Sequence, residues 1–180
     1  MKYRRFGRTG WMVSEVGYGL WGMGGWTGSD DKESLQALQR SVELGCNFFD
    51  TANVYSLGRS EEILGKALHD FAKRDEIVLA TKGGIRPPVP YDSGPRALRE
   101  ACEGSLRRLG VDTIDLYQVH RPDLFTHPAE VAATLAALHH SGKVREVGVS
   151  NHTASQTDAL AVHLREVGLG LASIQPELSV

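Results

Sequence analysis

A strand-length apolar run followed by an amphipathic helix recurs five times along these 180 residues, and a sixth apolar run closes the series. Successive runs begin about 30 residues apart, the length of one strand–helix–strand crossover. Alternation of this kind calls for parallel strands joined by right-handed helical connections. It leaves two architectures open, a doubly wound open sheet or a (β/α)8 barrel. No low-complexity linker and no shift in composition interrupts the pattern, so residues 1–180 read as a single domain.

The units can be placed in order. Residues 2–13 alternate weakly around Arg8-Thr9-Gly10, which predicts a β-hairpin ahead of the main fold. Val16–Gly22 is a strand running into a glycine-rich loop. Asp30 and Glu33 form an N-cap and N3 pair for a helix with Leu35, Leu38 and Val42 on one face, stopped at Gly45. Asn47–Asp50 is the second strand, and Ser60 is expected to cap the helix that carries Ile63, Leu64, Ala67 and Leu68. Strands follow at Ile77–Lys82, Ile114–Val119, Val144–Val149 and Leu171–Ile174. Helices follow at Pro95–Leu109, Pro128–His140 and Ala154–Val167, with Ser150-Asn151 expected to cap the last in part.

For the open sheet there is one motif, Gly17-x-Gly19-x-x-Gly22 after a strand. Its physical use needs a helix opening at the third glycine, to meet a pyrophosphate. Met23-Gly24-Gly25-Trp26-Thr27-Gly28 cannot open a helix, so the match reads as accidental. The barrel is favoured by the polar residues. Asp50, Lys82, His120, Ser150-Asn151 and Gln175 each stand at the carboxyl end of a different, successive strand. Barrel enzymes place catalytic groups there. Taken singly, each has a plainer explanation: a solvated lysine, a satisfied histidine, an Asp-Thr turn, a half-buried Tyr55, a helix cap. Five successive strand ends on one rim are not explained that way.

Composition narrows the function classes. At 41% hydrophobic and 23% charged the chain is globular in type, and a net charge of −2 with pI near 6.4 lacks the basic footprint of a nucleic-acid binder. The apolar runs are too short to span a membrane, and Met1–Gly7 precedes no signal-type apolar stretch. Cys46 and Cys102 have neither disulfide nor metal spacing, which suits buried thiols in a reducing compartment, and a cytoplasmic location is expected.

Phe49-Asp50-Thr51-Ala52 with Tyr55, Ser60-Glu61-Glu62-Ile63-Leu64-Gly65, Ala80-Thr81-Lys82, Asp115–His120, Gly148-Val149-Ser150-Asn151 and Ile174-Gln175-Pro176-Glu177 occur in this order and spacing. Together they closely resemble the aldo-keto reductases, barrel enzymes that reduce aldehydes and ketones with NAD(P)H. The resemblance implies a catalytic tetrad of Asp50, Tyr55, Lys82 and His120. It also implies that Ser150, Asn151 and Gln175 hydrogen-bond the nicotinamide carboxamide, with NADPH as the default cofactor and NADH left open. The chemistry is coherent. Reducing a carbonyl leaves an alkoxide in need of a proton, and a free phenol ionises only near pH 10. An ammonium beside a phenol favours its ionised form. Lys82 would supply that charge, Asp50 would aim it, and His120 would orient the carbonyl oxygen. Trp21 and Trp26, in the first rim loop, are candidates for an apolar substrate wall or a hydrophobic cover.

The resemblance ends before the family's seventh and eighth strands, whose loops hold the cofactor's pyrophosphate and adenosine. The expected fold is therefore an incomplete (β/α)8 barrel of five units and a sixth strand, truncated before strands seven and eight. Relatives commonly have a tyrosine near Leu178. Unpaired outer strands imply possible self-association, and cofactor binding by this chain is expected to be weak or absent. The reading is an aldo-keto reductase-type oxidoreductase with Tyr55 as proton donor. The alternative is an inactive truncated homologue that acts as a binding or assembly module.

Overall fold

The computed structural model describes residues 1–25, 28, 30–88 and 91–177. Trp26 and Leu178 lie outside the described residues. The chain opens with an antiparallel hairpin in which β1 (Tyr3–Arg5) pairs with β2 (Met12–Ser14), Tyr3 opposite Ser14. Six further strands follow: β3 (Tyr18–Gly19), β4 (Phe48–Asp50), β5 (Val78–Gly83), β6 (Ile114–Val119), β7 (Val144–Ser150) and β8 (Leu171–Gln175). Between them run α1 (Asp31–Glu43), α2 (Arg59–Asp70), α3 (Pro95–Leu109), α4 (Pro128–His140) and α5 (Ala154–Glu166).

The six strands pair in chain order, β3-β4-β5-β6-β7-β8, and every pairing is parallel. A doubly wound sheet reverses its strand order partway across. This one does not, and it curls as a half-barrel. The Gly17-x-Gly19-x-x-Gly22 motif accordingly enters a turn at Trp21–Gly25 and no helix. Burial follows the same order. All six residues of β5 and all six of β6 are buried, whereas β8 is half-buried to exposed, with Ile174 54% exposed. One contiguous core runs from Leu20 through Leu64, Leu98, Tyr117 and Leu135 to Leu164, joining the sheet to its helices.

Helix ends show which local signals were decisive. Asp30 Oδ1 accepts from Glu33 N at 2.7 Å, as the capping pattern predicts. Ser60, by contrast, does not cap α2. The cap position is Gly58 at φ 97°, and Ser60 Oγ instead donates to Leu20 O at 3.0 Å and lies 2.9 Å from Thr51 Oγ1. The buried ends of β3 and β4 supply better partners than the first helical turn. Nor do Ser150 and Asn151 cap α5. Thr153 does, in a reciprocal capping box with Gln156.

The hairpin lies across the amino-terminal ends of the strands. Tyr3 Oη donates to Gly45 O at 2.9 Å, Asn47 bridges Ser14 N and Met12 O, and Phe6 packs on Phe48 at 5.4 Å between ring centroids. Arg8 forks onto the Glu146 carboxylate and donates to Gly170 O at 2.5 Å. The opposite end of the sheet, where the candidate residues stand, is left uncovered by it. Among the described residues no helix is long and apolar enough to cross a membrane.

Candidate active site

The site is assembled by three adjacent strand ends and one strained turn. Alternation along a parallel strand sends successive side chains to opposite faces, so Asp50, Lys82, Gln118 and His120 come together on one face. The rim loops are tied down by continued pairing. Thr51 N donates to Ala80 O, Asn53 N to Lys82 O and His120 N to Gly83 O, at 2.8 to 3.0 Å. Tyr55 opens the turn Tyr55–Gly58, in which Ser56 and Leu57 have φ of 48° and 54°. Two consecutive left-handed non-glycine residues beside a candidate functional phenol mark stored backbone strain. The loop is held by Ser56 Oγ, which donates to Met23 O at 2.6 Å. Gly24 makes that approach possible, because a Cβ there would lie 2.8 Å from Ser56 Cβ.

The structure brings the four tetrad residues together. Lys82, only 2% exposed, donates from Nζ to Asp50 Oδ2 at 2.5 Å and to Thr51 O at 3.0 Å. Its Nζ is also 3.4 Å from Tyr55 Oη and 5.2 Å from that ring's centroid. Tyr55 and His120 stand edge to face, with ring centroids 5.5 Å apart. Burial is the main cause that pushes the His120 imidazole down to about 4, followed by the positive charges of Lys82 and Arg121. At neutral pH it is therefore an uncharged imidazole with one N–H to donate. Its Nδ1 is buried and has no partner among the described residues.

Ser150, Asn151 and Gln175 form a second group on the same rim. Asn151 Nδ2 donates to His120 O at 3.1 Å and to Ser150 Oγ at 2.9 Å, and Ser150 Oγ donates to Gln175 O at 3.2 Å. Gln175 Nε2 is 3.5 Å from Asp50 Oδ2, so the two groups touch. Trp21 is 57% exposed on the first rim loop, the behaviour of a wall or a cover more than of a core residue.

Two participants escape a reading by strand ends. Gln118, 2% exposed, donates to Asp50 Oδ1 at 3.4 Å and accepts from Ser173 Oγ at 3.0 Å, so the Asp50 carboxylate is held from both oxygens. Its signal was the period of two with His120 on the same strand. Thr51 holds Lys82 through a backbone carbonyl, which no side-chain pattern can reveal.

Residues 15–180 match the model of the Aldo/keto reductase family. The chain is 42% identical to the 6-dehydroglucose reductase of Novosphingobium aromaticivorans, over 98% of its own length and 59% of the relative's. It is 40% identical to aldo-keto reductase YhdN of Bacillus subtilis, over 88% of this chain and 49% of that protein. The structure of a glycerol dehydrogenase from Gluconobacter oxydans superposes with a TM-score of 0.85 at 40% identity, covering 98% of this chain and 55% of the other. The chain thus spans about half the length of the proteins it matches.

Proposed function

The chain belongs to the aldo/keto reductase family, and from that premise we propose that it supplies the proton-delivery half of a carbonyl reductase site. Aldehydes or ketones are the substrates, a nicotinamide cofactor (NADPH first) is the partner, and Tyr55 is the proton donor. The supporting observation is the position of Lys82 Nζ, between the Asp50 carboxylate at 2.5 Å and the Tyr55 hydroxyl at 3.4 Å. Asp50 keeps the ammonium charged and aimed. The ammonium stabilises negative charge on the phenol oxygen as its proton leaves. The neutral His120 is suited to donate a hydrogen bond to the carbonyl oxygen that gains charge.

The rim offers acceptors that fit the cofactor's carboxamide N–H groups. Asn151 spends its amide N–H groups on His120 and Ser150, and its Oδ1 accepts nothing among the described residues. The Gln175 side-chain Oε1 likewise accepts nothing among the described residues, and the residue is exposed at the rim. Ser150, Asn151 and Gln175 would hold the nicotinamide end, which when bound supplies the hydride for the carbonyl carbon. The deciding experiment follows NADPH oxidation with 4-nitrobenzaldehyde by this protein. Turnover that disappears in Tyr55→Phe, with NADPH binding retained, supports the reading. Undiminished turnover in that variant rejects it.

A second reading, a binding or assembly module within one barrel-type domain, draws on the sheet's outer strands. β3 and β8 each have one neighbour in the sheet order, and an open edge is a template for pairing with another chain. Concentration-dependent mass in sedimentation, without turnover, is its expected signature.

A further inference from the structure

We propose that Glu61 is a positioning residue for the proton-delivery site, and that with Arg108 and Thr81 it sets the separation between Tyr55 and Lys82. The proposal rests on the roles given above to those two residues.

Glu61 lies in the first turn of α2 and is fully buried. Its Oε1 accepts from Thr81 Oγ1 at 2.6 Å. Its Oε2 accepts from Arg108 Nε at 2.8 Å, and Nη2 of the same guanidinium stands 2.7 Å away as an ion pair. A buried carboxylate held by two donors and an ion pair is a rigid joint, because neither partner can leave without stranding a charge or a polar group.

The joint spans the two elements that hold the reacting pair. Thr81 directly precedes Lys82 in β5, and alternation sends its side chain to the helix layer while Lys82 points to the site. Fixing Thr81 therefore fixes the strand from behind. Arg108 comes from the last turn of α3 and passes against the turn that carries Tyr55. A Cβ at Gly58, which closes that turn, would lie 2.7 Å from Arg108 Cδ, and one at Gly104 would lie 3.0 Å from Nη1. Glycines thus form the slot through which the guanidinium reaches Glu61. The neighbouring Ser60 ties the same helical turn to Leu20 O and Thr51 Oγ1. Two consecutive side chains bolt the start of α2 to β3, β4, β5 and α3.

The quantity under control is small. Lys82 Nζ to Tyr55 Oη is 3.4 Å, at the outer limit of a hydrogen bond. A drift of well under 1 Å decides whether the contact exists, and a misplacement of about 1 Å can cost about 100-fold in rate. The plainer alternative is that the trio only glues α2 to α3.

Thr81→Val separates the two, since it removes one donor and leaves the Glu61–Arg108 pair in place. Thr81→Ser restores the donor. The chain is labelled with 13C in its tyrosine rings, and the Tyr55 signal is assigned with Tyr55→Phe. Thr81→Val is expected to displace the Tyr55 signal and Thr81→Ser to return it. Leu160→Ala, a core truncation in α5, is expected to lower the melting temperature without moving it. Should Thr81→Val fail to fold, Arg108→Lys keeps the charge, loses the fork, and is expected to give the same displacement. An unmoved Tyr55 signal in the folded variant, or equal movement in Leu160→Ala, overturns the proposal. No turnover enters this measurement, so its failure leaves the reductase reading untouched, whereas failure of the reductase reading shows separately, as undiminished turnover in Tyr55→Phe. Where the wild type oxidises NADPH with 4-nitrobenzaldehyde, Thr81→Val should lower kcat by about 10- to 100-fold at nearly constant KM. A raised KM with unchanged kcat would also count against positioning.

Discussion

Asn151 donates its side-chain amide to the main-chain carbonyl of His120 across 3.1 Å, from a backbone held at φ 57°. The end of β7 is thereby bound to the end of β6, and a residue proposed to meet the cofactor also fixes one proposed to meet the substrate. Asn151→Gly loses the bond and keeps the left-handed backbone at no steric cost. Asn151→Ala loses the bond and adds strain of roughly 1–2 kcal/mol. Urea melts should therefore rank the alanine variant below the glycine variant, both below wild type. Equal midpoints for the two variants would mean that the backbone conformation relaxes freely.

Tyr55→Phe removes the Oη that stands 3.4 Å from Lys82 and leaves the ring against His120. Carbonyl reduction should fall by at least about 100-fold, the lower end of what a positioned proton donor contributes. NADPH affinity, followed by fluorescence quenching, should stay within about two-fold of wild type, a difference of less than about 1 kcal/mol.

Asp50→Asn leaves the buried Lys82 ammonium with a neutral partner. Breaking a buried pair from one side costs about 3–5 kcal/mol. Because Asp50 remains partly exposed, the lower part of that range is expected, together with loss of turnover. Asp50→Asn/Lys82→Met, which removes both charges, should regain part of the stability and none of the activity. A double variant less stable than Asp50→Asn would contradict the pairing.

Stability should depend on pH through His120. Its imidazole is held down to about 4 by burial and by Lys82 and Arg121, whereas in an unfolded chain a histidine ionises near 6.5. Between those values the unfolded state binds the extra proton, so stability rises with pH across that window and is lost as pH falls through it. The effect is of order 3 kcal/mol at most. His152, also lowered by burial, adds a smaller slope of the same sign. Urea midpoints measured at about pH 4.5 and pH 7 should converge in His120→Asn compared with wild type. An unchanged gap would remove His120 as the source.

Strand and helix order could be read from the sequence because each helix has its own apolar stripe and stop signal. Pro95–Leu109 and Pro128–His140 are found where the pattern put them. The rim cluster of Asp50, Lys82 and His120 could be picked out for a related reason, since strand ends are local and their residue types conspicuous, whereas Tyr55 stands on the turn after β4. Ser60 misled because its cap signature is also local, and the donor found buried tertiary partners instead. Gln118, marked only by its period of two with His120, and Glu61 were hard to single out for the opposite reason. A glutamine inside a strand and a glutamate in a first helical turn are ordinary in sequence, and their roles arise only when β5, β6, α2 and α3 meet. The shortness of β3 was hidden too, because Val16–Gly22 reads as one apolar run although only Tyr18 and Gly19 pair with β4.

Arg8 binds Glu146, 138 positions along the chain, and Gly170, 162 positions along. During synthesis those partners leave the ribosome long after Arg8 does. The hairpin can meet Gly45, Asn47 and Phe48 early, but Arg8 has no partner to take until β7 and the loop before β8 exist. Contacts of such sequence separation form late and slow folding. Arg8 is therefore among the last side chains of this molecule to find its partners.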